Sequence, residues 1–147
     1  MTRDEQLENI RQWQEDVSLL YDFALTHPGQ RQSGLLLVRA ELAARYLAAT
    51  GVAVDGFRYV LDAATIRHVH AGHGGKSEAS HKRITKQDIL NLHLVMTDPD
   101  TITLSPKKHR GLTAIKISKI IAGQKSCCVI TVRDGKKRLS PVTCYKG

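Results

Sequence analysis

The chain has 147 residues, of which 41% are hydrophobic, so it is long enough to bury the core of one domain. Its net charge of +8 is uneven, because the first 62 residues carry six arginines and nine acids and the rest carry sixteen lysines or arginines and five acids. No apolar run approaches the roughly 20 residues of a membrane helix, and the start is too polar for a secretory signal, so we expect neither. The basic second part indicates a polyanionic partner such as nucleic acid, with a merely solubilising surface as the alternative.

The three cysteines are odd in number, and two of them are neighbours in sequence. Cys127, Cys128 and Cys144 show no CxxC spacing, so we expect neither a disulfide framework nor a structural zinc site. They are predicted to be small core residues.

The first 50 residues carry helical periodicity and no reactive cluster. Apolar residues recur every three, four and seven positions from Asp4 to Thr26, and His27-Pro28-Gly29 ends this helix. Ser33 is predicted to cap a second helix that ends near Gly51. We therefore predict a helical hairpin over residues 1–50, acting as an extension or linker to a functional domain over residues 51–147.

The middle of the chain predicts a short strand or turn followed by two helices. Residues 52–60 are rich in β-branched and aromatic side chains, and a third helix over residues 62–72 would bury Ile66 and Val69. After a loop, Thr85 and Asp88 approximate a capping box at the start of a fourth helix.

The last third predicts four strands, over residues 101–105, 112–121, 126–133 and 138–145. Asp134-Gly135 between the last two is a hairpin signal. The predicted fold class is thus α+β, with a helical hairpin followed by helices packed on a roughly four-stranded antiparallel sheet.

Three histidines, His68, His70 and His73, lie within the ten residues 66–75. Imidazole exchanges protons near neutral pH, so this cluster beside a basic segment indicates acid–base chemistry on a phosphate. Exposed histidines at a helix end are the plain alternative. His70 and His73 could instead share a metal ion with His81 or His109, but HExxH is absent and the cluster holds no acid, so we predict no metal.

Strand periodicity places Lys119 on the apolar face with Ile115 and Ile117, and Lys116 on the other face. Lys119 lies either at the sheet margin or in a cleft beside an anion.

Thr143 and Tyr145 share a strand face, which Leu139 and Pro141 precede on the same side. Two hydroxyls there could hydrogen-bond a phosphate, although β-propensity also explains them. Pro141 predicts a strand that lies partly at an edge of the sheet.

These residues suit RNA cleavage without a metal. The 2′-hydroxyl of RNA is its own nucleophile, a histidine can remove its proton, and Lys119 with hydroxyl donors can stabilise charge on the phosphate oxygens. The basic residues Lys107, Lys108, Arg110 and Lys116 are predicted to bind the RNA.

An ordered series of short motifs runs from about residue 51 to residue 146. It comprises Ile66-Arg67-His68-Val69, His73-Gly74, Glu78, Ile84-Thr85-Lys86-Gln87-Asp88-Ile89, Pro99-Asp100-Thr101-Ile102, Gly111-Leu112, Ile117-Ser118-Lys119, Leu139 and Thr143-Cys144-Tyr145-Lys146. The series resembles the phage-associated nuclease domains of the barnase-EndoU-colicin-RelE (BECR) superfamily. The resemblance implies helices followed by a four-stranded antiparallel sheet and metal-independent RNA cleavage to a 2′,3′-cyclic phosphate. It also implies His68, His73, Lys119, Thr143 and Tyr145 as catalytic residues.

One departure concerns the segment from Val129 to Arg133, where such domains often carry a glutamate and this chain carries Thr131. A non-catalytic RNA-binding module therefore stays open as an alternative, and so does a structural domain that binds a protein partner.

The resemblance also implies a biological setting. Such domains act as bacterial toxins or phage-borne effectors, delivered as the C-terminal part of a larger secreted or phage protein. We expect action in the cytoplasm of the producing or target cell, RNA as partner, an acidic immunity protein and no cofactor.

Overall fold

A computed structural model describes residues 2–73 and 83–147. In chain order the elements are α1 (Arg3–Thr26), β1 (Gln32–Leu37), α2 (Ala40–Thr50), β2 (Arg58–Asp62), α3 (Ala63–His73), α4 (Lys86–Leu90), α5 (Leu92–Thr97), β3 (Thr101–Leu104), β4 (Ala114–Ile121), β5 (Gln124–Arg133), a short 3-10 helix (Asp134–Lys136) and β6 (Arg138–Lys146). The fold is α+β, as predicted. None of the described helices, α1 included, has both the length and the apolar content to cross a membrane.

The sheet has six strands in the order β1-β2-β6-β5-β4-β3, instead of the four predicted. The predicted strands are β3 to β6, which form an antiparallel meander. Two strands from earlier in the chain extend it, since β2 pairs with β6 in parallel and β1 pairs with β2 in antiparallel orientation.

The predicted helical hairpin is wrong, because the segment that Ser33 was expected to cap is strand β1. Ser33 pairs with Leu61 of β2, and α2 begins only at Ala40. A short apolar run such as residues 35–37 suits a strand or a helix equally, and here pairing with β2 decides the outcome. The predicted end of α2 is confirmed, since Gly51 adopts a left-handed conformation with φ of 75°.

Two helix starts in the middle of the chain are close to the prediction, but the strand lies at residues 58–62 instead of 52–60, and the predicted fourth helix is divided into α4 and α5. Helix α3 begins one residue later than predicted, directly after β2, and Asp62 Oδ1 accepts a hydrogen bond from the Thr65 amide at 2.8 Å. Thr85 and Asp88 form the capping box of α4. The predicted loop after His73, with Glu78 and His81, lies outside the described residues, and for His73 the backbone alone is described.

One hydrophobic core joins the helices to one face of the sheet. Its members from the helices include Trp13, Val17, Leu20, Leu42, Tyr46, Ile66, Val69, Ile89, Leu92, Val95 and Met96, and those from β4 to β6 include Ile115, Ile117, Cys128, Ile130, Leu139 and Cys144. The cysteines are free and buried, as predicted. Since Trp13, Val17 and Leu20 belong to α1, this helix contributes to the same core as the sheet.

The opposite face of β3 to β6 forms rows of cross-strand neighbours, and we call it the open face. Its rows are Thr101-Ser118-Cys127-Tyr145, Thr103-Lys116-Val129-Thr143, Ala114-Thr131-Ser140 and Arg133-Arg138. The core residues of the described helices all pack against the other face of the sheet. The open face therefore presents polar side chains from four strands.

A β-bulge in β6 decides which of its side chains reach the open face. Val129 pairs with Thr143 and Ile130 pairs with Pro141, so Val142 is an extra residue without a partner in β5. The bulge reverses the alternation, and Leu139 lies in the core whereas Thr143 points to the open face. The expectation that Leu139 and Pro141 share a face with Thr143 and Tyr145 is therefore wrong.

The prediction that β6 lies partly at an edge is confirmed. Strand β2 pairs with β6 only at Arg138 and Leu139. Beyond them the Pro141 carbonyl accepts a hydrogen bond from Thr65 Oγ1 of α3 at 2.8 Å, so a helix takes the place of a neighbouring strand.

Two buried phenols provide a test of the core. Tyr59 Oη donates to the Met96 carbonyl at 2.8 Å, so Tyr46 Oη must donate to Tyr59 Oη across 2.7 Å. Burial raises the pKa of both phenols, which keeps them protonated. We expect Tyr59→Phe to lower the free energy of unfolding by about 1–3 kcal/mol, because it leaves a buried hydroxyl and a buried carbonyl without a partner.

The matched control is Tyr46→Phe, which leaves the bond from Tyr59 to Met96 intact and should cost less. Urea unfolding of both variants measures the difference. Equal losses would contradict the assigned direction of the hydrogen bonds.

A buried histidine predicts a pH dependence of stability. His93 of α5 is 5% exposed, its Nδ1 has no hydrogen-bond partner in the described structure, and burial lowers its pKa. In the unfolded chain His93 therefore binds a proton near the ordinary pKa of about 6.5, whereas in the folded chain it binds the proton only at lower pH. The contribution of His93 to the free energy of unfolding is therefore complete above about pH 6.5 and decreases as the pH falls below it.

We expect His93→Leu to reduce the loss of unfolding free energy between about pH 7.5 and pH 5.5, measured by urea unfolding at each pH. An identical loss in the wild type and the variant would show that His93 does not cause it.

Candidate functional site

The centre of the open face is a lysine beside a tyrosine. Lys116 Nζ lies 5.4 Å from the centroid of the Tyr145 ring, and Tyr145 is half-buried. The side-chain hydrogen bond with Tyr145 raises the pKa of Lys116, and the charge interaction with the phenol adds to it. The ammonium group therefore stays positive at any physiological pH, next to a ring that attracts cations.

Thr143 adds a second hydroxyl-bearing side chain to this centre. It lies in the same row as Lys116, with Val129 between them, and Tyr145 lies in the adjacent row. Rows on one sheet face are close enough for long side chains to meet. We call Lys116, Thr143 and Tyr145 the open-face cluster.

Two other hydroxyls on this face serve the fold. Ser118 is buried and hydrogen-bonds with Thr101 across β3 and β4. Thr131 is fully buried, and its Oγ1 donates to the Ser140 carbonyl at 3.3 Å. Thr131 thus shares the face with the cluster, but its hydroxyl is used within the sheet.

The open face carries positive charge without acids. Its strand positions include Lys116, Lys125, Arg133 and Arg138, and strands β3 to β6 contain no aspartate or glutamate. Like charges that lack counterions on one surface attract a polyanion from a distance. This part of the structure is therefore suited to a phosphate-bearing ligand.

Lys119 does not join the cluster. Strand parity places it on the core side with Ile117, as predicted, and its side chain is 21% exposed at the sheet margin. Lys119 Nζ donates to the Asp98 carbonyl at 2.9 Å and pairs with the carboxylates of Asp98 at 3.2 Å and Asp100 at 3.7 Å. The expectation that Lys119 meets Thr143 and Tyr145 in one groove therefore fails, because the bulge turns those two residues to the other face.

Helix α3 presents three different sides. Ile66 and Val69 enter the core, Thr65 binds the carbonyl of Pro141, and Arg67 faces the end of α1. His68 is exposed and lies one turn after Thr65, and residues three apart share a helix side, so His68 lies on the side that borders β6.

Arg67 fixes the orientation of α3. Its Nε donates to the Ala24 carbonyl at 2.8 Å, and one terminal nitrogen donates to the carbonyls of His27 and Gly29. Together with the bond from Thr65 to Pro141, this holds both flanks of the helix that carries His68. His70 is exposed on another side of the helix.

The predicted basic loop lies at the far end of the sheet from Tyr145. Lys107, Lys108 and Arg110 are exposed in the connection between β3 and β4, beside the first residue of β4. Within residues 2–73 and 83–147, no three histidine, cysteine or acidic side chains gather as metal ligands would. The side chain of His73 and the whole of His81, two of the four histidines weighed as metal ligands, lie outside what is described.

Sequence reasoning missed the pairing of Lys116 with Tyr145, although it placed Lys116 and Lys119 on opposite faces. The available signal was Pro141, because a proline inside a strand often accompanies a bulge. Had a bulge been assumed there, Thr143 and Tyr145 would have moved to the face of Lys116.

Comparison with known proteins places this site in a family. No curated protein and no solved structure matches the chain. Residues 37–147 match the family described as phage-Barnase-EndoU-ColicinE5/D-RelE like nuclease3, and this range includes α3 and the whole open face. The chain therefore belongs to the phage-associated nucleases of the BECR superfamily.

Proposed function

We propose that the chain is a metal-independent endoribonuclease in which the open-face cluster holds the phosphate and the histidines of α3 act on it from the edge of β6. Helix α3 packs on the core side of the sheet and borders β6 at Pro141, so His68 has to approach the open face around that edge. The observation that carries the proposal is the charged lysine held beside Tyr145, with Thr143 in the same row, on a face to which strands β3 to β6 contribute no acid. Membership of a nuclease family supplies the reaction class, cleavage of nucleic acid.

The choice of RNA follows from the groups that are available. A site made of imidazoles, an ammonium and hydroxyls can transfer protons and stabilise charge on a phosphodiester. RNA provides the nucleophile in its 2′-hydroxyl, and a histidine is the side chain best matched to remove its proton near neutral pH.

In the proposed reaction, a histidine removes the proton of the 2′-hydroxyl, and the 2′-oxygen attacks phosphorus. The bond from phosphorus to the 5′-oxygen breaks, and that oxygen leaves with a proton from a second acid. The products are a 2′,3′-cyclic phosphate and a 5′-hydroxyl. His68 and His73 share the base and acid roles, Lys116 neutralises the charge that develops on the phosphate oxygens, and Thr143 and Tyr145 donate hydrogen bonds to them.

The same proposal gives Lys119 a structural role. Its ammonium binds two carboxylates and a carbonyl at the end of α5, and so it ties that helix to β4. Lys116, three residues earlier on the same strand, takes the role in charge stabilisation.

For the biological setting, we propose a toxin or phage-borne effector that acts on tRNA or another structured RNA in a bacterial cytoplasm, as the C-terminal part of a larger protein. The basic open face would also attract an acidic immunity protein, which could block the cluster by covering it.

A second candidate is an RNA-binding module without catalysis. The specific observation in its favour is that Thr131 stands on the open face and no carboxylate does, among the described strands. If the reaction needs a carboxylate as base, this face holds none, and the histidines of α3 are the remaining candidates.

We expect the wild-type protein to cleave total RNA in the presence of EDTA and to leave ends that react as 2′,3′-cyclic phosphates. An oligonucleotide with a single 2′-deoxy position should resist cleavage at that position, because its nucleophile is missing. Intact RNA across several substrates would favour the binding module, and cleavage that needs an added divalent ion would overturn the proposed mechanism.

A matched pair of variants on one strand tests the cation. Lys116→Met should lower kcat/KM for RNA on the order of 100-fold, since removing one donor that stabilises transition-state charge typically has this effect. Lys119→Met should affect chiefly the free energy of unfolding, because it removes the cation paired with the Asp100 carboxylate and one of the two paired with the Asp98 carboxylate, the other being Arg45. Cleavage kinetics and urea unfolding of both variants decide, and the reverse pattern would assign catalysis to Lys119.

A further inference from the structure

Two loops at the end of the sheet farthest from Tyr145 carry five of the 22 lysines and arginines of the chain. The first joins β3 to β4 and holds Lys107, Lys108, His109 and Arg110, and the second joins β5 to β6 and holds Lys136 and Lys137. All six of these side chains are exposed. This end of the open face is therefore its most basic part.

The first loop is a rigid turn. The amide of His109 donates to the carbonyl of Leu112 and the amide of Leu112 donates to the carbonyl of His109, both at 2.9 Å. Between them Arg110 has φ of 49° and Gly111 has φ of 78°, which is the left-handed pair of a tight hairpin turn. Arg110 is thus held at the tip of a small hairpin, at the energetic cost of a left-handed conformation for a residue other than glycine.

The two loops enclose a cleft. Its volume is about 370 Å³, and it is lined by Leu112 and Thr113 on one side and by Arg133, Asp134 and Lys136 on the other. The amide of Val132 donates to the Thr113 carbonyl at 2.9 Å and so ties the two sides together. We call this the distal cleft.

The distal cleft is separate from the open-face cluster. Tyr145 and Arg138 are seven residues apart on β6, and Arg138 pairs with Arg133 in the lining. At roughly 3.3 Å per residue, and with one residue taken up by the bulge, Arg138 lies about 20 Å from Tyr145, whereas Lys116 of the cluster lies about 10 Å from Thr113 in the lining. Lys116, Arg133 and Arg138 lie on the same face, so basic side chains mark the path between the two sites.

The lining of the cleft favours a nucleic-acid strand over a protein. Protein interfaces depend on large apolar anchors at their centre. The exposed large hydrophobic residues of the described chain are Leu7, Leu19, Leu25, Leu37, Leu47, Leu104 and Ile120. None of them lines the cleft, whereas exposed lysines and arginines are the groups that neutralise phosphates.

We propose that the distal cleft is a second phosphate-binding site, which holds the backbone of a single RNA strand several nucleotides away from the bond at the open-face cluster. As a site for substrate, it rests on the proposed function. It implies that the substrate is a strand long enough to cover both sites, and that short oligonucleotides are poor substrates.

The test measures binding of RNA that cannot be cleaved. Fluorescence anisotropy with the full chain compares 2′-O-methyl oligonucleotides, a trimer and a dodecamer, at several salt concentrations. The test variant combines Arg110→Gln, Arg133→Gln and Lys136→Gln, which removes both basic side chains of the lining and the arginine at the tip of the adjacent turn. The control variant combines Arg3→Gln, Arg11→Gln and Arg39→Gln, which removes the same charge from exposed positions elsewhere.

If each substituted residue contacts one phosphate, the test variant should lower the slope of log Kd against log salt for the dodecamer by about 2, at roughly 0.7 per contact on a single strand. The ratio of the trimer Kd to the dodecamer Kd should also decrease in the test variant. The control variant should keep the wild-type slope and the wild-type preference for length.

Equal slopes for the test and control variants would overturn the distal cleft as a phosphate site. Tighter binding of poly-L-glutamate than of the dodecamer, lost in the test variant alone, would overturn the assignment to RNA. Because the probe is not cleaved, the result is independent of catalysis. Cleavage of RNA with a failed binding test refutes only the cleft, and a successful binding test without cleavage refutes only the nuclease mechanism.

Discussion

The extra residue in β6 is the constraint on which the arrangement of the site depends. Val142 has no partner in β5, so Thr143 and Tyr145 after it face away from the core that receives Leu139 and Cys144. Next to the bulge, where β2 no longer pairs with β6, the carbonyl of Pro141 accepts the hydrogen bond of the Thr65 hydroxyl, which docks α3 against β6. Residues 141 and 142 thus orient the two hydroxyl-bearing side chains and also hold the helix that bears His68.

How far the sequence predicts this molecule depends on the range of the forces involved. The capping box of Thr85 and Asp88 and the alternation of β4 are properties of a few consecutive residues, and they were predicted correctly. The strand at residues 32–37 and the face of Thr143 depend on partners distant in sequence, β2 and β5. A single sequence does not show which strands pair. The motifs that resemble the family therefore placed Lys119 and Tyr145 in one site, whereas the fold puts them on opposite faces of the sheet.

The charge of the open face results from where the acids lie as much as from the number of lysines. Asp98 and Asp100 bind Lys119, and Asp88 binds Lys146 at 3.0 Å, all on the helix-covered side. Lys116 has a tyrosine for a neighbour instead of a carboxylate. Lys116 and Lys119 of β4 therefore have different partners, because the helical layer provides carboxylates to the core side of the strand.

The region that matches the nuclease family begins at residue 37, but the folded unit begins earlier. Strand β1 covers the outer edge of β2, α1 fills the core with Trp13 and Leu20, and the carbonyls at its end hold Arg67. A protein that begins at residue 37 would lack β1 and α1. The edge of β2 would then be exposed, which promotes aggregation, and the core next to α3 would lose the side chains of α1, which destabilises the fold. The first helix, which the sequence alone suggested to be a linker, is therefore part of the folded domain that contains the family region.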